Sequence, residues 1–273
     1  MPDVEQAFKV FLEGMRVPDS FVYATAERSE ALRDFLKREI RINKIFPGGS
    51  YRRGTCVFPF NSVKLHVALN PKHYYECRKN SWKVLSFLKA ALAGGYPNVR
   101  IGREGQTVTV PISGGPDIEL APSLKLSTGN YLVPNGIGGW FRANPARQEA
   151  IFNSKEEESD GKFKNLIKIL KSWNLNAGRP FNSYFLELLA YYRANDFSGG
   201  YGRMVTSLFR SMTIFLPEFL SCPVVKAPIS VGDMSVIDKL VENARDVSES
   251  ALGRTGNEEA VILWKSLLGD RFS

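Results

Sequence analysis

Apolar residues recur at helical spacing over most of the chain and alternate with polar residues in only a few short stretches. Near the N-terminus and again in the last third of the chain, apolar side chains return every three or four positions, as expected of amphipathic helices. The helices predicted from this spacing cover residues 4–15, 21–42, 74–93, 163–173, 180–192, 202–216, 235–252 and 257–268. Any sheet must therefore come mainly from the part of the chain before residue 123.

The clearest strand pattern covers residues 62–69. Ser62, Lys64 and His66 alternate with apolar residues, so their side chains share one face of the predicted strand. Three further short strands are predicted at residues 98–102, 107–111 and 117–122, with glycine-rich turns between them. A strand–helix–strand–strand–strand order is typical of a mixed sheet with a helix on one face, which predicts an α+β fold.

The stretch 123–160 is rich in turn-forming residues, and residues 154–161 form a charged run, Ser-Lys-Glu-Glu-Glu-Ser-Asp-Gly. We predict that this run is a flexible connection. The predicted domains are then residues 1–159, which hold the sheet and the N-terminal helices, and residues 160–273, which are helical.

The composition is typical of a globular protein, with 44% hydrophobic and 23% charged residues. No apolar run is long enough to span a membrane, and the N-terminus has acidic residues where a signal peptide is basic. The three cysteines, Cys56, Cys77 and Cys222, are widely scattered and are expected to be free thiols in a reducing cytosol. These features predict a cytoplasmic protein with no membrane partner.

The formal charge of +8 favours an anionic partner such as a nucleotide or, with less support, a nucleic acid. A merely basic soluble protein explains the same charge. Gly48, Gly49 and Ser50 are a candidate anion-binding corner, because the two glycines lack Cβ atoms and can bring backbone N–H groups close to a phosphate. A helix that began near Ser50 would add its positive end.

Four short motifs follow one another along the chain. The first is residues 49–55, Gly-Ser-Tyr-Arg-Arg-Gly-Thr. The other three are residues 166–174 (Leu-Ile-Lys-Ile-Leu-Lys-Ser-Trp-Asn), 182–187 (Asn-Ser-Tyr-Phe-Leu-Glu) and 264–272 (Trp-Lys-Ser-Leu-Leu-Gly-Asp-Arg-Phe). In this order they resemble motifs of the cGAS/DncV-like nucleotidyltransferases (CD-NTases) of bacterial antiphage signalling, in which the first motif is similar to the phosphate-binding corner. The resemblance implies a polymerase beta-like core packed against a C-terminal helical bundle, in two lobes with a central cleft.

The resemblance also implies ligand-binding residues in the helical half. Lys168 or Lys171 and Ser183 would contact a triphosphate, and Tyr184 would stack on a base. Lys168 could instead be a solvated helix residue, and Tyr184 could belong to the core.

The chain departs from the family where the metal ligands should lie. An Asp-x-Asp strand normally holds two Mg²⁺ ions, and here Ser62 and Lys64 take the two positions. Residues 118–123 resemble the strand of the third carboxylate, with Glu119 in its place and Asp117 on the same face. Because Lys64 would repel Mg²⁺, we predict that it pairs with Glu119 and fills the position of the metal. The open alternatives are a metal site made of Asp117 and Glu119, or two solvated acids.

Three functions remain open at this point. The first is a pseudoenzyme that binds a nucleotide or a cyclic or linear oligonucleotide through Gly49, Ser50 and Lys64, without a cofactor. The second is an active Mg²⁺-dependent nucleotidyltransferase with an altered site. The third is a partner of an active homologue or of an effector from a defence system. His66 and His73 are the only histidines, and no catalytic triad, P-loop or Rossmann motif accompanies them; His66 is expected at the rim of the site.

Overall fold

The computed structural model describes residues 3–70, 77–221, 234–254 and 257–273. His73, Cys222 and the start of the helix predicted at 74–93 lie outside the described residues. Within the described part of the chain, no helix is both long enough and apolar enough to cross a membrane.

Eight of the ten helices among the described residues correspond to helices predicted from the spacing. Their bounds are α1 Val4–Glu13, α2 Asp19–Glu39, α3 Gly49–Arg53, α4 Trp82–Leu92, α5 Pro145–Glu158, α6 Phe163–Asn176, α7 Ser183–Arg193, α8 Tyr201–Ser221, α9 Met234–Leu252 and α10 Asn257–Leu268. The helix predicted to run to residue 42 ends at Glu39, because Ile42 already pairs with Leu69 in the sheet.

The sheet of the described residues has seven strands. They are β1 Ile42–Pro47, β2 Ser62–Leu69, β3 Arg100–Ile101, β4 Val108–Val110, β5 Asp117–Lys125, β6 Tyr131–Pro134 and β7 Trp140–Ala143. Their order is β1-β2-β5-β4-β3, with β6 paired to β5 and β7 to β6. Only the β2–β5 pairing is parallel among these, so the sheet is mixed and the predicted α+β class is confirmed.

The chain forms two compact units. The sheet unit comprises Val17–Arg53 and Pro59–Ala150. Its main core lies on one face of the sheet, where α2 and α4 cover apolar side chains of β2 and β5. The opposite face carries Ser62, Lys64 and His66, as the alternation predicts.

The helical unit comprises the described residues up to Arg16, the segment Gly54–Phe58, and the described residues from Ile151 onward. Helix α1, which the predicted domain 1–159 includes, groups with this unit because Phe8 packs edge-on against Trp264 and Phe272, at ring-centroid distances of 5.1 and 4.9 Å. The change between the units near residue 150 also lies before the predicted boundary at 159.

The charged run at 154–161 is not a flexible connection, and that prediction is wrong. Residues up to Glu158 belong to helix α5. Pro145 occupies the first turn, where a missing N–H is tolerated, and the Asn144 side chain accepts a hydrogen bond of 2.9 Å from the Arg147 N–H. Phe152 is fully buried, so the helix also has an apolar anchor.

Candidate functional site

Strands β2 and β5 bring together the residues at the expected metal positions. In this parallel pair Ser62 lies opposite Asp117 and Lys64 lies opposite Glu119. The Ser62 hydroxyl donates a hydrogen bond of 2.7 Å to Glu119 Oε1. The acid is therefore held by a neutral group from the neighbouring strand.

The predicted ion pair between Lys64 and Glu119 is not formed. Among the described residues Lys64 has no ion pair, because Glu119 turns to Ser62 and the Lys64 side chain runs toward the glycine corner. A Cβ added at Gly49 would lie 3.4 Å from Lys64 Cβ and 3.8 Å from its Cδ. The Gly48 N–H also donates to the Lys64 carbonyl, at 2.9 Å. The stem of Lys64 thus lies beside the corner, and Lys64 is not the partner of Glu119.

The corner itself has the predicted backbone. Helix α3 begins at Gly49, whose φ of +60° is unfavourable for a residue with a side chain. Gly48 needs its missing Cβ for a different reason, since such an atom would lie 2.5 Å from His66 Cδ2. Ser50 is partly exposed beside them. This arrangement is consistent with phosphate binding by Gly49, Ser50 and Lys64, which stays a prediction.

His66 is buried and does not lie at the rim as expected. Its Nδ1 is 2.8 Å from the Ser123 hydroxyl, which donates at 3.0 Å to the Ala121 carbonyl, so His66 Nδ1 is the donor to Ser123. Phe46 stacks on the imidazole with ring centroids 5.1 Å apart. Burial, followed by the charge of Lys64, lowers the pKa of His66 to about 4. The ring is therefore neutral at pH 7 and adds no charge to the site.

The residues present do not fit two Mg²⁺ ions. The positions offer a hydroxyl, an ammonium group and one carboxylate, whereas Mg²⁺ requires oxygen ligands that balance its charge. Asp117 is already paired with Arg100 at 2.9 Å. In the described part of the chain no group of three His, Cys, Asp or Glu side chains is placed to hold a metal. The open alternative of a metal site on Asp117 and Glu119 thus has too few ligands in the described residues.

Lys171, a predicted phosphate ligand, is buried in the helical unit and bonded to protein groups there. Its ammonium group lies 2.5 Å from Glu187 Oε1 and donates to the Thr55 carbonyl at 2.9 Å. Thr55 Oγ1 also donates to the same Glu187 oxygen, at 2.5 Å. Lys171 and Glu187 are 8% and 0% exposed, so the structure gives Lys171 a structural role and does not support phosphate contact by it.

The other predicted residues of the helical unit remain available. Lys168 is partly exposed and has no ion pair among the described residues; burial lowers its pKa, an effect that the nearby Cys56 thiol opposes. Ser183 is exposed in the first turn of α7, which Asn182 caps by accepting from the Tyr184 N–H at 2.8 Å. Tyr184 is half-buried and packs against the helical core. Their roles in ligand binding stay predictions.

Sequence reasoning missed the buried cluster of Thr55, Lys171 and Glu187. All three lie within the motifs at 49–55, 166–174 and 182–187, so the motifs mark the residues of the cluster. The spacing along one helix, however, does not distinguish a buried lysine from an exposed one. Ser123, which orients His66, was missed in the same way. Cys56 is a buried free thiol, as expected, and burial raises its pKa despite the charge of Lys171.

Residues 1–155 match the family model of the Second Messenger Oligonucleotide or Dinucleotide Synthetase domain, SMODS. The chain belongs to this family. A cyclic AMP-AMP-AMP synthase from Acinetobacter sp. is 22% identical to this SMODS protein over 294 residues, which cover 98% of the chain and 85% of the relative.

Solved CD-NTase structures share the fold of this SMODS protein. The Escherichia coli CdnC of a CdnC:HORMA-deltaN complex has a TM-score of 0.78 at 18% identity, with 99% of this chain and 98% of that chain covered. The Bradyrhizobium diazoefficiens CD-NTase CdnG in complex with GTP has a TM-score of 0.72 at 14% identity, with 98% and 96% covered. The resemblance to CD-NTases and the nucleotidyltransferase fold are therefore confirmed.

Proposed function

We propose that this SMODS protein is a pseudoenzyme that binds a nucleotide or a cyclic or linear oligonucleotide without two-metal catalysis. The observation that carries the proposal is the position of Lys64, a cation beside Gly49 on the strand that in CD-NTases supplies the metal-binding acids. A unit charge about 4 Å from a second unit charge, at an effective dielectric near 20, interacts by about 4 kcal/mol. Replacing an acid by Lys64 reverses a term of that size.

The same features that oppose a metal favour an anion. The Lys64 ammonium group has no ion pair within the described residues, and its stem lies against a corner with bare backbone. A phosphate placed there would receive both the charge and backbone N–H groups. In the helical unit, Lys168, Ser183 and Tyr184 remain the proposed contacts to phosphate and base.

The proposal includes a role in cytoplasmic antiphage signalling, which membership of the SMODS family supports. A protein partner belongs to the same proposal, since one of the structural neighbours is a CdnC:HORMA-deltaN complex. The partner would be an active synthase or an effector, and the ligand would be the nucleotide product of another enzyme.

The test is a calorimetric titration with ATP, GTP and cyclic and linear oligoadenylates in EDTA. We expect binding without metal, which Lys64→Met weakens by at least tenfold. Lys83→Met is the matched control, because Lys83 is an exposed lysine of α4, the helix on the opposite face of the sheet. If no nucleotide or oligonucleotide binds, the proposal is wrong and a purely structural partner role replaces it.

An active synthase is the second candidate, favoured by the family match of residues 1–155. Labelled NTPs with Mg²⁺ or Mn²⁺ distinguish the two. We expect no product above that of a protein-free sample. A phosphatase-resistant product that Glu119→Gln abolishes would establish the enzyme and overturn the pseudoenzyme.

A further inference from the structure

Strands β2 and β5 place one positive and one negative side chain at neighbouring positions. Lys64 and Glu119 lie opposite each other in the parallel pairing, one positive and one negative. Glu119 uses Oε1 to accept from Ser62, and its Oε2 accepts no hydrogen bond from the described residues. A ligand that lies across this pair of residues would therefore also face a carboxylate oxygen that accepts no hydrogen bond from the described residues.

The neighbouring arginines on this face are already neutralised by acids. Arg52 donates to Glu149 Oε2 from Nε at 2.9 Å and from Nη2 at 2.6 Å. Arg100 is paired with Asp117. Lys44 lies over the Phe46 ring, 4.7 Å from its centroid. Arg52 and Arg100 are thus paired with acids, whereas Lys64 has no ion pair among the described residues.

We infer that the site selects an oligonucleotide with internal phosphodiesters over a nucleoside triphosphate. The inference rests on the proposed function, because it names the class of nucleotide bound. A phosphodiester carries a single negative charge, which one ammonium group can balance. A triphosphate concentrates several charges on one chain of phosphates, and the phosphates that lie nearest Glu119 are repelled by it.

Glu119 also offers the preferred ligand a hydrogen-bond acceptor. A carboxylate oxygen accepts from a hydroxyl or amino group, so Glu119 Oε2 can bind a ribose hydroxyl or an exocyclic amine. The Ser62 hydroxyl fixes the carboxylate in place. The pair of Lys64 and Glu119 would therefore recognise a phosphodiester next to a ribose hydroxyl or a base amino group.

The experiment compares two linear dinucleotides that differ in one feature. Adenylyl-(3′→5′)-adenosine is titrated with and without a 5′-triphosphate, in EDTA, against the wild-type protein, Glu119→Gln and the exposed-site control Glu104→Gln. Glutamine keeps an oxygen that can accept from Ser62 and removes the charge. We expect the triphosphate to weaken wild-type binding by about fivefold, the size of one exposed charge pair.

The variants separate this inference from a general effect of charge. In Glu119→Gln the loss caused by the triphosphate should fall to less than twofold, and in Glu104→Gln it should stay as in the wild type. Tighter wild-type binding of the triphosphate form would overturn the inference while leaving the proposed function intact. Binding of neither dinucleotide, nor of any nucleotide in the broader titration, would instead overturn the proposed function.

Discussion

Lys171 and Glu187 form an ion pair in the interior of the helical unit, with the ammonium nitrogen 2.5 Å from Oε1 and both side chains almost closed to solvent. Thr55 contributes two oxygens to the same cluster, its carbonyl to Lys171 and its hydroxyl to Glu187. The pair therefore joins helices α6 and α7 to the segment Gly54–Phe58 within this unit. Its energy depends on both charges being present, because either one alone would be buried without its opposite charge.

Lys171→Met should lower the free energy of unfolding by about 3–5 kcal/mol, since Glu187 would then be buried without its cation. Urea denaturation followed by circular dichroism measures the change. Lys171→Met combined with Glu187→Met is the control, because it removes both charges while keeping side chains of similar length. We expect the double variant to recover most of the loss. A single variant within about 0.5 kcal/mol of the wild type would contradict a stabilising role.

The sequence predicts this fold well where apolar residues recur with a single clear helical or strand spacing. The alternation in residues 62–69 correctly places Ser62, Lys64 and His66 on the face opposite the main core, although His66 is itself buried there. Helix α10 has the predicted bounds. The prediction lacks the hairpin of β6 and β7, because each strand has only four residues and turn-forming residues flank both. It lacks helix α5 because that helix is largely polar and has little apolar periodicity. Phe152 stabilises α5 through tertiary packing, which local propensity does not contain.

The candidate site was predictable as a set of neighbours and not as a set of contacts. Ser62, Lys64 and Glu119 are brought together by the parallel register of β2 and β5. Whether Ser62 or Lys64 contacts Glu119 depends on the direction of the two side chains. Ser62 makes the contact, and the longer Lys64 side chain lies along Gly49. The difference between Lys168 and Lys171 likewise depends on Glu187 of another helix, which the spacing within α6 does not contain.

Gly48→Ala should destabilise the sheet unit and weaken nucleotide binding. The added methyl group would lie 2.5 Å from His66 Cδ2, and the imidazole cannot retreat because Phe46 stacks on it and Ser123 holds Nδ1. Overpacking of this kind costs about 1–3 kcal/mol. Thermal denaturation and the EDTA titration measure the two effects. Gly94→Ala is the matched control, since nothing lies within 4 Å of a Cβ added there; equal behaviour of the two variants would rule out the close contact as the cause.

His66 should make the protein less stable as the pH falls below neutral. Its pKa is lowered from 6.5 to about 4 in the folded protein, so the unfolded chain takes up a proton first as the pH decreases. The contribution to stability is complete above pH 6.5 and is lost progressively toward pH 4. At pH 5 the loss is about 2 kcal/mol relative to pH 7.5.

Urea denaturation of the wild type and of His66→Gln at pH 7.5 and pH 5 isolates the contribution of His66 to the pH dependence of stability. Carboxylates and His73 contribute equally to both proteins, so the difference in their pH dependence belongs to His66. We expect the variant to show a smaller decrease between pH 7.5 and pH 5 by about 2 kcal/mol. Parallel curves for the two proteins would mean that the imidazole is not buried as described.

Restoring acids at two positions should restore metal binding. Ser62→Asp combined with Lys64→Asp would place two carboxylates on β2 beside Glu119 on β5, in the register that already joins these strands. Three carboxylates suit a hard divalent cation, whereas the native hydroxyl and ammonium groups do not. Titration with Mn²⁺, followed by electron paramagnetic resonance, should show binding at least tenfold tighter than to the wild type.

Stability gives an independent measurement of the same change. Without metal, three adjacent carboxylates repel one another, so the double variant should melt below the wild type. Mn²⁺ at about 100 times its dissociation constant should add about 2.7 kcal/mol to the variant and little to the wild type. Ser62→Asn combined with Lys64→Asn is the control, because it matches the shape of the acids without their charge. Equal Mn²⁺ affinity in the two double variants would show that Ser62 and Lys64 are not what prevents this strand pair from holding a metal.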